Sequence, residues 1–305
     1  MKRTIAAVIL LFACKSAFAV IGTAGGPAPY LKMGIGARGT ALSGAFSAYY
    51  DDASCAFWNP ASAALSEKIS VASMVSLMTQ DRTHSFIGAV FPFEWGALSA
   101  GLLNLSVENL EGRPDYDTPE YYLFSNSDNA ALFSYSRRIT QWLSAGAGIK
   151  VIFRNIDSVQ AWGLSLDAGA LIKPLENLSL AAVLSDFLNH QEWSTGRVEH
   201  ILFAMKLSVL AELVEKQLKL SLEAEQLEAS EFSLKAGVEA VLFRVFFLRA
   251  GSSYGFKSWY FDYTAGGGVR YAFGGVMLQA DYGLVREEFY STTDLNHKFS
   301  LSAYF

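Results

Sequence analysis

Cysteine is almost missing from this chain: Cys14 and Cys55 are the only two among 305 residues. Residues 1–19 read as an export segment that is removed. That leaves Cys55 alone and excludes an internal disulfide, a cysteine zinc site and a thiol redox pair. Proline is scarce, at seven residues, which permits long strands, since proline removes a ladder hydrogen bond. The four histidines are His84, His190, His200 and His297. None lies beside a serine motif of the kind a Ser–His hydrolase needs, so no catalytic residue is assigned and the chain is not read as an enzyme. Basic residues are in deficit. The formal charge of −5 becomes −8 when Lys2, Arg3 and Lys15 leave with the export segment. Nucleic acid is excluded as a partner, because phosphate backbones need a basic face. From Ile69 onward no run approaches the roughly 20 apolar residues of a spanning helix.

What is present begins with the export signal. Met1-Lys2-Arg3 is a basic start, residues 5–13 are an apolar run, and Ala17-Phe18-Ala19 is a small-residue cleavage pattern. Leu11-Phe12-Ala13-Cys14 spells a rival processing site of lipoprotein type, which Phe12 fits poorly. The chain is 51% hydrophobic and 17% charged, too apolar for disorder. Its hydrophobicity alternates. Ile69, Val71, Ser73, Val75 and Leu77 share one face of a segment whose other face is Lys68, Ser70, Ala72, Met74 and Ser76. Leu218, Leu220 and Leu222 stand opposite Lys219, Ser221 and Glu223, and the same period recurs over residues 163–172 and 276–282. A period of two means a sheet with one apolar and one more polar face.

About fourteen such segments can be drawn, each near or above the 9–11 residues of a tilted spanning strand. Tight turns, such as Lys173-Pro174-Leu175-Glu176 and Ala272-Phe273-Gly274-Gly275, tend to alternate with longer polar connections at residues 109–125, 188–196 and 287–292. Short turns on one side and long loops on the other are the pattern of an outer-membrane barrel. Aromatic residues near segment ends, among them Trp95, Trp142, Trp162, Trp193, Trp259 and Tyr304, suit interfacial girdles. Phe299, Leu301, Ala303 and Phe305 alternate to a terminal aromatic, like a signal for the barrel-assembly machinery. The expected fold is all-β: a transmembrane antiparallel β-barrel of about 14 strands over residues 67–305, with residues 20–66 as an N-terminal hatch or plug in the lumen. A soluble β-sandwich is the alternative, disfavoured by the strand lengths and the terminal Phe305.

The stretch 34–65 is rich in small and aromatic residues. Gly34-Ile35-Gly36-Ala37-Arg38-Gly39 spells a dinucleotide fingerprint, but no strand precedes it and no βαβ unit encloses it. No cofactor is assigned, and Gly36, Gly39 and Gly44 are read as permitting tight turns in a crowded lumen. Asp51 and Asp52 are read as capping a turn and pairing with Arg38 or with basic lumen residues, and no metal site is assigned. Asn59 before Pro60 favours a turn. Phe46, Tyr49, Tyr50, Phe57 and Trp58 offer apolar surface to a ligand.

Gly36-Ala37-Arg38-Gly39-Thr40-Ala41-Leu42-Ser43-Gly44-Ala45-Phe46, then Asp51-Asp52-Ala53-Ser54, then Trp58-Asn59-Pro60-Ala61, resembles the PorV/PorQ family of outer-membrane proteins. That family is similar to the FadL-type transporters of long-chain fatty acids and other hydrophobic compounds. The signature covers about thirty residues, with Cys55, Phe57 and Ser62 departing from it. The resemblance implies a fourteen-stranded barrel with an N-terminal hatch, passive uptake of small hydrophobic molecules, and sideways release at a bend in the third strand. Gly96, Gly101 and Asn104 fall in that strand, where ordinary barrel curvature also explains them. The alternative implied is a PorV-like component of type IX protein secretion that binds cargo or translocon. The expected partners are outer-membrane lipids and a hydrophobic small molecule or a secreted protein cargo, and the expected location is the bacterial outer membrane.

Overall fold

The computed structural model describes residues 27–115, 119–228, 230–289 and 292–305. The export signal with its Cys14, and residues 20–26, lie outside the described residues. Fourteen strands follow one another: β1 Ser70–Met78, β2 Arg82–Phe93, β3 Gly96–Gly112, β4 Tyr122–Arg138, β5 Leu143–Ile156, β6 Val159–Leu175, β7 Leu178–Trp193, β8 Ala204–Leu213, β9 Leu218–Leu227, β10 Glu231–Leu242, β11 Phe246–Gly255, β12 Tyr260–Phe273, β13 Val276–Phe289 and β14 Thr292–Tyr304. A two-residue piece, Val198–Glu199, folds back on β7. Each strand pairs antiparallel with its sequence neighbours, and β1 pairs with β14 from Ser70↔Tyr304 to Leu77↔His297, which closes the sheet into a barrel. Closure removes the free edges that lipid does not tolerate.

The alternation in the sequence sorts the two faces of the wall. Leu164, Leu222 and Leu301 are 40%, 63% and 65% exposed, while their neighbours Ser165, Ser221 and Ser302 are buried. The exposed row is apolar, whereas the buried row mixes small and polar residues with apolar ones such as Leu103 and Ile152, so the barrel faces lipid outward and keeps its polar groups within. Phe299, Leu301 and Phe305 lie on the outward row. Tyr304, read as a girdle residue, instead points inward and donates to Asp51 O at 3.4 Å; strand alternation assigns the outward place to Phe305.

The wall is not of uniform height. Strands β3, β4 and β6 have 17 residues, whereas β8, β9 and β11 have 10. The expected loop at 109–125 is mostly strand, since β3 runs on to Gly112 and β4 starts at Tyr122. A bulge at Glu108 and Asn109, between the pairs Val107↔Asn126 and Leu110↔Phe124, lets the ladder resume beyond polar residues. Likewise the expected loop at 188–196 is largely β7, and β8 begins only at Ala204. Outside the apolar band a strand needs backbone pairing and no apolar face, so polarity misplaces the boundary.

Candidate functional site

Residues 27–66 lie against the inward face of the barrel as two short helices, α1 Ala37–Thr40 and α2 Cys55–Trp58, and two 3₁₀ turns, Pro29–Lys32 and Pro60–Leu65. Their backbone approaches the wall where the wall has glycine. A Cβ on Gly146 would stand 2.5 Å from the Pro60 carbonyl carbon, and one on Gly283 would stand 2.8 Å from Ala37 O. The G-x-G-x-x-G pattern has a local purpose. Cβ atoms on Gly34 and Gly39 would fall 2.7 and 3.0 Å from the Trp58 ring, so these residues form the socket for that ring. Trp58 Nε1 donates to Ile35 O at 3.2 Å, which fixes the indole in place. Asn59 caps the following turn, its Oδ1 accepting from Ala61 N at 2.9 Å and its Nδ2 donating to Ser47 O at 2.9 Å. Pro60 occupies the first position of that turn, where a missing N–H is harmless.

The segment is joined to the wall by charge. Arg38, 1% exposed, donates from Nη1 and Nη2 to both carboxylate oxygens of Asp51 and from Nε and Nη2 to both of Glu239 on β10. Lys219 on β9 adds a bond to Asp51 at 2.9 Å, and Arg249 on β11 links Glu239 to Asp281 on β13. Burial by itself would raise the Asp51 carboxyl, but Arg38 and Lys219 outweigh it and hold Asp51 well below the usual carboxylate range. Asp52 behaves oppositely. Burial pushes it up, and the more distant Arg38, 3.8 Å away, together with the Ser54 backbone N–H and hydroxyl that donate to its Oδ1, offsets only part of that rise.

Of the aromatic residues, Phe46 and Tyr49 are fully buried and stacked, with centroids 4.4 Å apart beneath the Arg38 guanidinium. Tyr50 is tied to Glu212 and Lys173 through its hydroxyl. Phe57 and Trp58 line an internal chamber of about 130 Å³ between the segment and the wall. The site residues Phe46, Trp58, Arg38 and Asp51 thus come together, and the structure gives Phe46 and Tyr49 a packing role inside the segment.

The barrel fold has solved counterparts. The toluene transporter TbuX of Ralstonia pickettii aligns with a TM-score of 0.62 at 11% identity, over 89% of this chain and 98% of that one. The Pseudomonas putida toluene transporter TodX gives 0.64 at 14% identity over 89% and 96%, and a Pseudomonas aeruginosa FadL homologue gives 0.59 at 13% over 88% and 97%. This is a likeness of fold. No protein-family model and no curated protein sequence matches the chain.

The third strand is continuous where those glycines fall. β3 pairs with β2 from Gly96 to Val107 and with β4 from Ala97 to Val107, and Gly101 faces Gly88 in an unbroken register. A larger irregularity lies in β7. Three residues there, Ser185, Asp186 and Phe187, oppose the single Asp167 of β6, with Asp186 at φ 59°. Asp186 turns into the lumen and accepts from Lys32, Lys150 and Ser165 at 2.6–2.8 Å. Past Ser185, β7 loses β8 as a partner, and the Asn189 side chain bonds both the N–H and the carbonyl of Ile201. Sequence reasoning missed Glu239, Arg249, Asp186 and Lys150. Their signal was present as charged residues at inward positions in mid-strand.

Proposed function

We propose that this chain is an outer-membrane conduit for passive uptake of small hydrophobic molecules, closed at rest by its N-terminal segment acting as a plug. The observation that carries this reading is a barrel with a lipid-facing exterior whose lumen is occupied by a segment fastened through Arg38, Asp51 and Glu239. The toluene transporters TbuX and TodX share the fold. The reading includes no catalysis. His84 stands opposite Ser76 in the β1–β2 register, yet neither side chain has a hydrogen-bond partner, so they form no bonded Ser–His pair. Deleting residues 34–65 tests the plug. Proteoliposomes holding the assembled deletion barrel are expected to leak small polar solutes, and unchanged permeability would refute plugging.

The finer PorV/PorQ reading rests on a signature whose residues Asn59 and Pro60 seat the segment against the wall while Trp58 packs inside the segment. Seating serves uptake and type IX secretion alike. Mass spectrometry of material co-purifying with the protein separates them: apolar small molecules support uptake, and secreted proteins in their place support secretion.

A further inference from the structure

We propose that the outward face of β5–β7 carries a groove for the neutral sugars of an outer-leaflet glycolipid, with Trp162, Asn155 and Gln160 as its contacts. The inference needs only the membrane barrel and goes beyond the uptake reading. It starts from one row of facing residues. Ser85, Asn104, Asn129, Phe153, Trp162 and Glu192 oppose one another in turn from β2 to β7. Their chain neighbours Leu103, Ala130, Ile152, Ala161 and Gln191 are buried, so the row faces away from the lumen. Two residues nearer the short turns, the outward positions are the exposed Ile87, Leu102 and Leu164. Two residues nearer the loops they are Ser106, Ser127, Asn155 and Gln160, again facing one another in turn. The outer wall thus changes from apolar to polar at this row. Its amides are fixed by one another: Asn104 Nδ2 donates to Asn129 Oδ1 at 2.8 Å, and Asn129 Nδ2 donates to Ser127 Oγ at 3.0 Å.

At the β5–β7 end of the row a groove of about 660 Å³ opens, with Phe153, Asn155, Gln160, Trp162, Glu192 and Ser194 in its lining. Trp162 is 51% exposed. It lies 13 residues from Leu175, the short-turn end of β6. At about 3.3 Å per residue and a tilt near 40°, that is a height of roughly 33 Å, beyond an apolar band about 25 Å tall. The groove therefore fronts the headgroup and sugar layer with acyl chains directly below it, which selects a glycolipid over a free saccharide. An aromatic face covers the C–H face of a pyranose, and a primary amide offers two donors and an acceptor to its hydroxyls. The charges disfavour a phosphate. Arg154, the cation of the lining, is bonded to Asp128 at 2.7 Å and stands 5.1 Å over the Trp193 ring. The Glu192 carboxylate is half-exposed, with His190 3.9 Å away. A carboxylate accepts from sugar hydroxyls and repels an anion. Neutral sugar is the chemistry that fits.

Surface plasmon resonance of the full protein, held in a polyoxyethylene detergent that carries no sugar, tests the assignment. The probes are a lipopolysaccharide with a neutral hexose core, the lipid A released from it, and the free core oligosaccharide. The lipopolysaccharide is expected to bind at least tenfold more tightly than either fragment. The double variant Asn155→Ala, Gln160→Ala should weaken it about ten- to thirtyfold, the equivalent of two ordinary hydrogen bonds, with lipid A little changed. Trp162→Ala should weaken it comparably and Trp162→Phe should keep most of the binding. Glu192→Gln, which retains an acceptor, should leave the preference in place. Heat-modifiable migration on a gel confirms that each variant is folded, and the double variant alters exposed side chains only. Equal binding of lipopolysaccharide and lipid A, or a preference that survives both the double variant and Trp162→Ala, overturns the proposal. Binding that Glu192→Gln abolishes would point to a cation bridged to phosphate and overturns it too. Free core oligosaccharide binding as tightly as the whole lipopolysaccharide overturns the glycolipid assignment. None of these outcomes bears on entry through the lumen.

Discussion

Asp51 takes two hydrogen bonds from Arg38 and one from Lys219, with its side chain about a third exposed at 34%. Asp52, its neighbour, is buried and bonded to Ser54. The two substitutions to asparagine should therefore differ in sign. Asp51→Asn is expected to destabilise the folded barrel at neutral pH by about 1–2 kcal/mol, the lower end of a charge-assisted bond because of the partial exposure. A carboxylate whose folded value is depressed contributes stability above its unfolded value near 4, and that contribution is lost as pH falls through the folded value. The Asp51→Asn penalty should accordingly shrink in acid. Asp52, whose value is raised by burial, costs the fold stability at pH above its unfolded value near 4. Asp52→Asn should be neutral or stabilising there, with the difference vanishing in acid. The temperature at which each variant loses its folded gel mobility, taken at two pH values, measures both. Equal responses would refute the contrast. Arg38→Met is more severe: it leaves Glu239 and Asp51 short of a buried partner, and about 3–5 kcal/mol is expected on the same assay.

At the level of the element, Asn189 replaces the missing strand partner by bonding both backbone groups of Ile201, which is 2% exposed. Asn189→Ala is expected to speed amide exchange over residues 200–203 by about tenfold or more, as an unpaired buried amide costs about 1–3 kcal/mol. The ladder from Leu178↔Ala211 to Ser185↔Ala204 does not depend on this side chain and should exchange as before. Unchanged exchange at Ile201 in mass spectrometry would show that the Asn189 bonds carry none of the local stability. The element boundaries in this region were the least legible part of the sequence. Asn189-His190-Gln191-Glu192 reads as loop by polarity, yet it is the end of β7, standing beyond the apolar band. Nothing in local composition marks the bulge at Asp186, because its cause is distant: Lys32, Lys150 and Asp167 draw that residue inward.

For the whole molecule, pairing of β1 with β14 closes the ladder, so neither the first nor the last strand is left as a free sheet edge. The protein is expected in the outer-membrane fraction. It should migrate on a gel at a different apparent size before and after boiling in detergent. Recovery in the soluble periplasm would refute the barrel.

The sequence by itself determined the all-β barrel, its strand count of about fourteen and, along the alternating segments, which row of side chains faces outward. A period of two places residues on opposite faces however the strands are arranged, and lipid outside selects the apolar row. Only the tertiary structure decided the inside. The Trp58 socket depends on Gly34 and Gly39 closing around one ring, and the charge cluster joins Arg38 to Glu239 across 201 residues of chain. Partners that far apart become neighbours only through strand register and barrel closure, and no local pattern encodes that pairing.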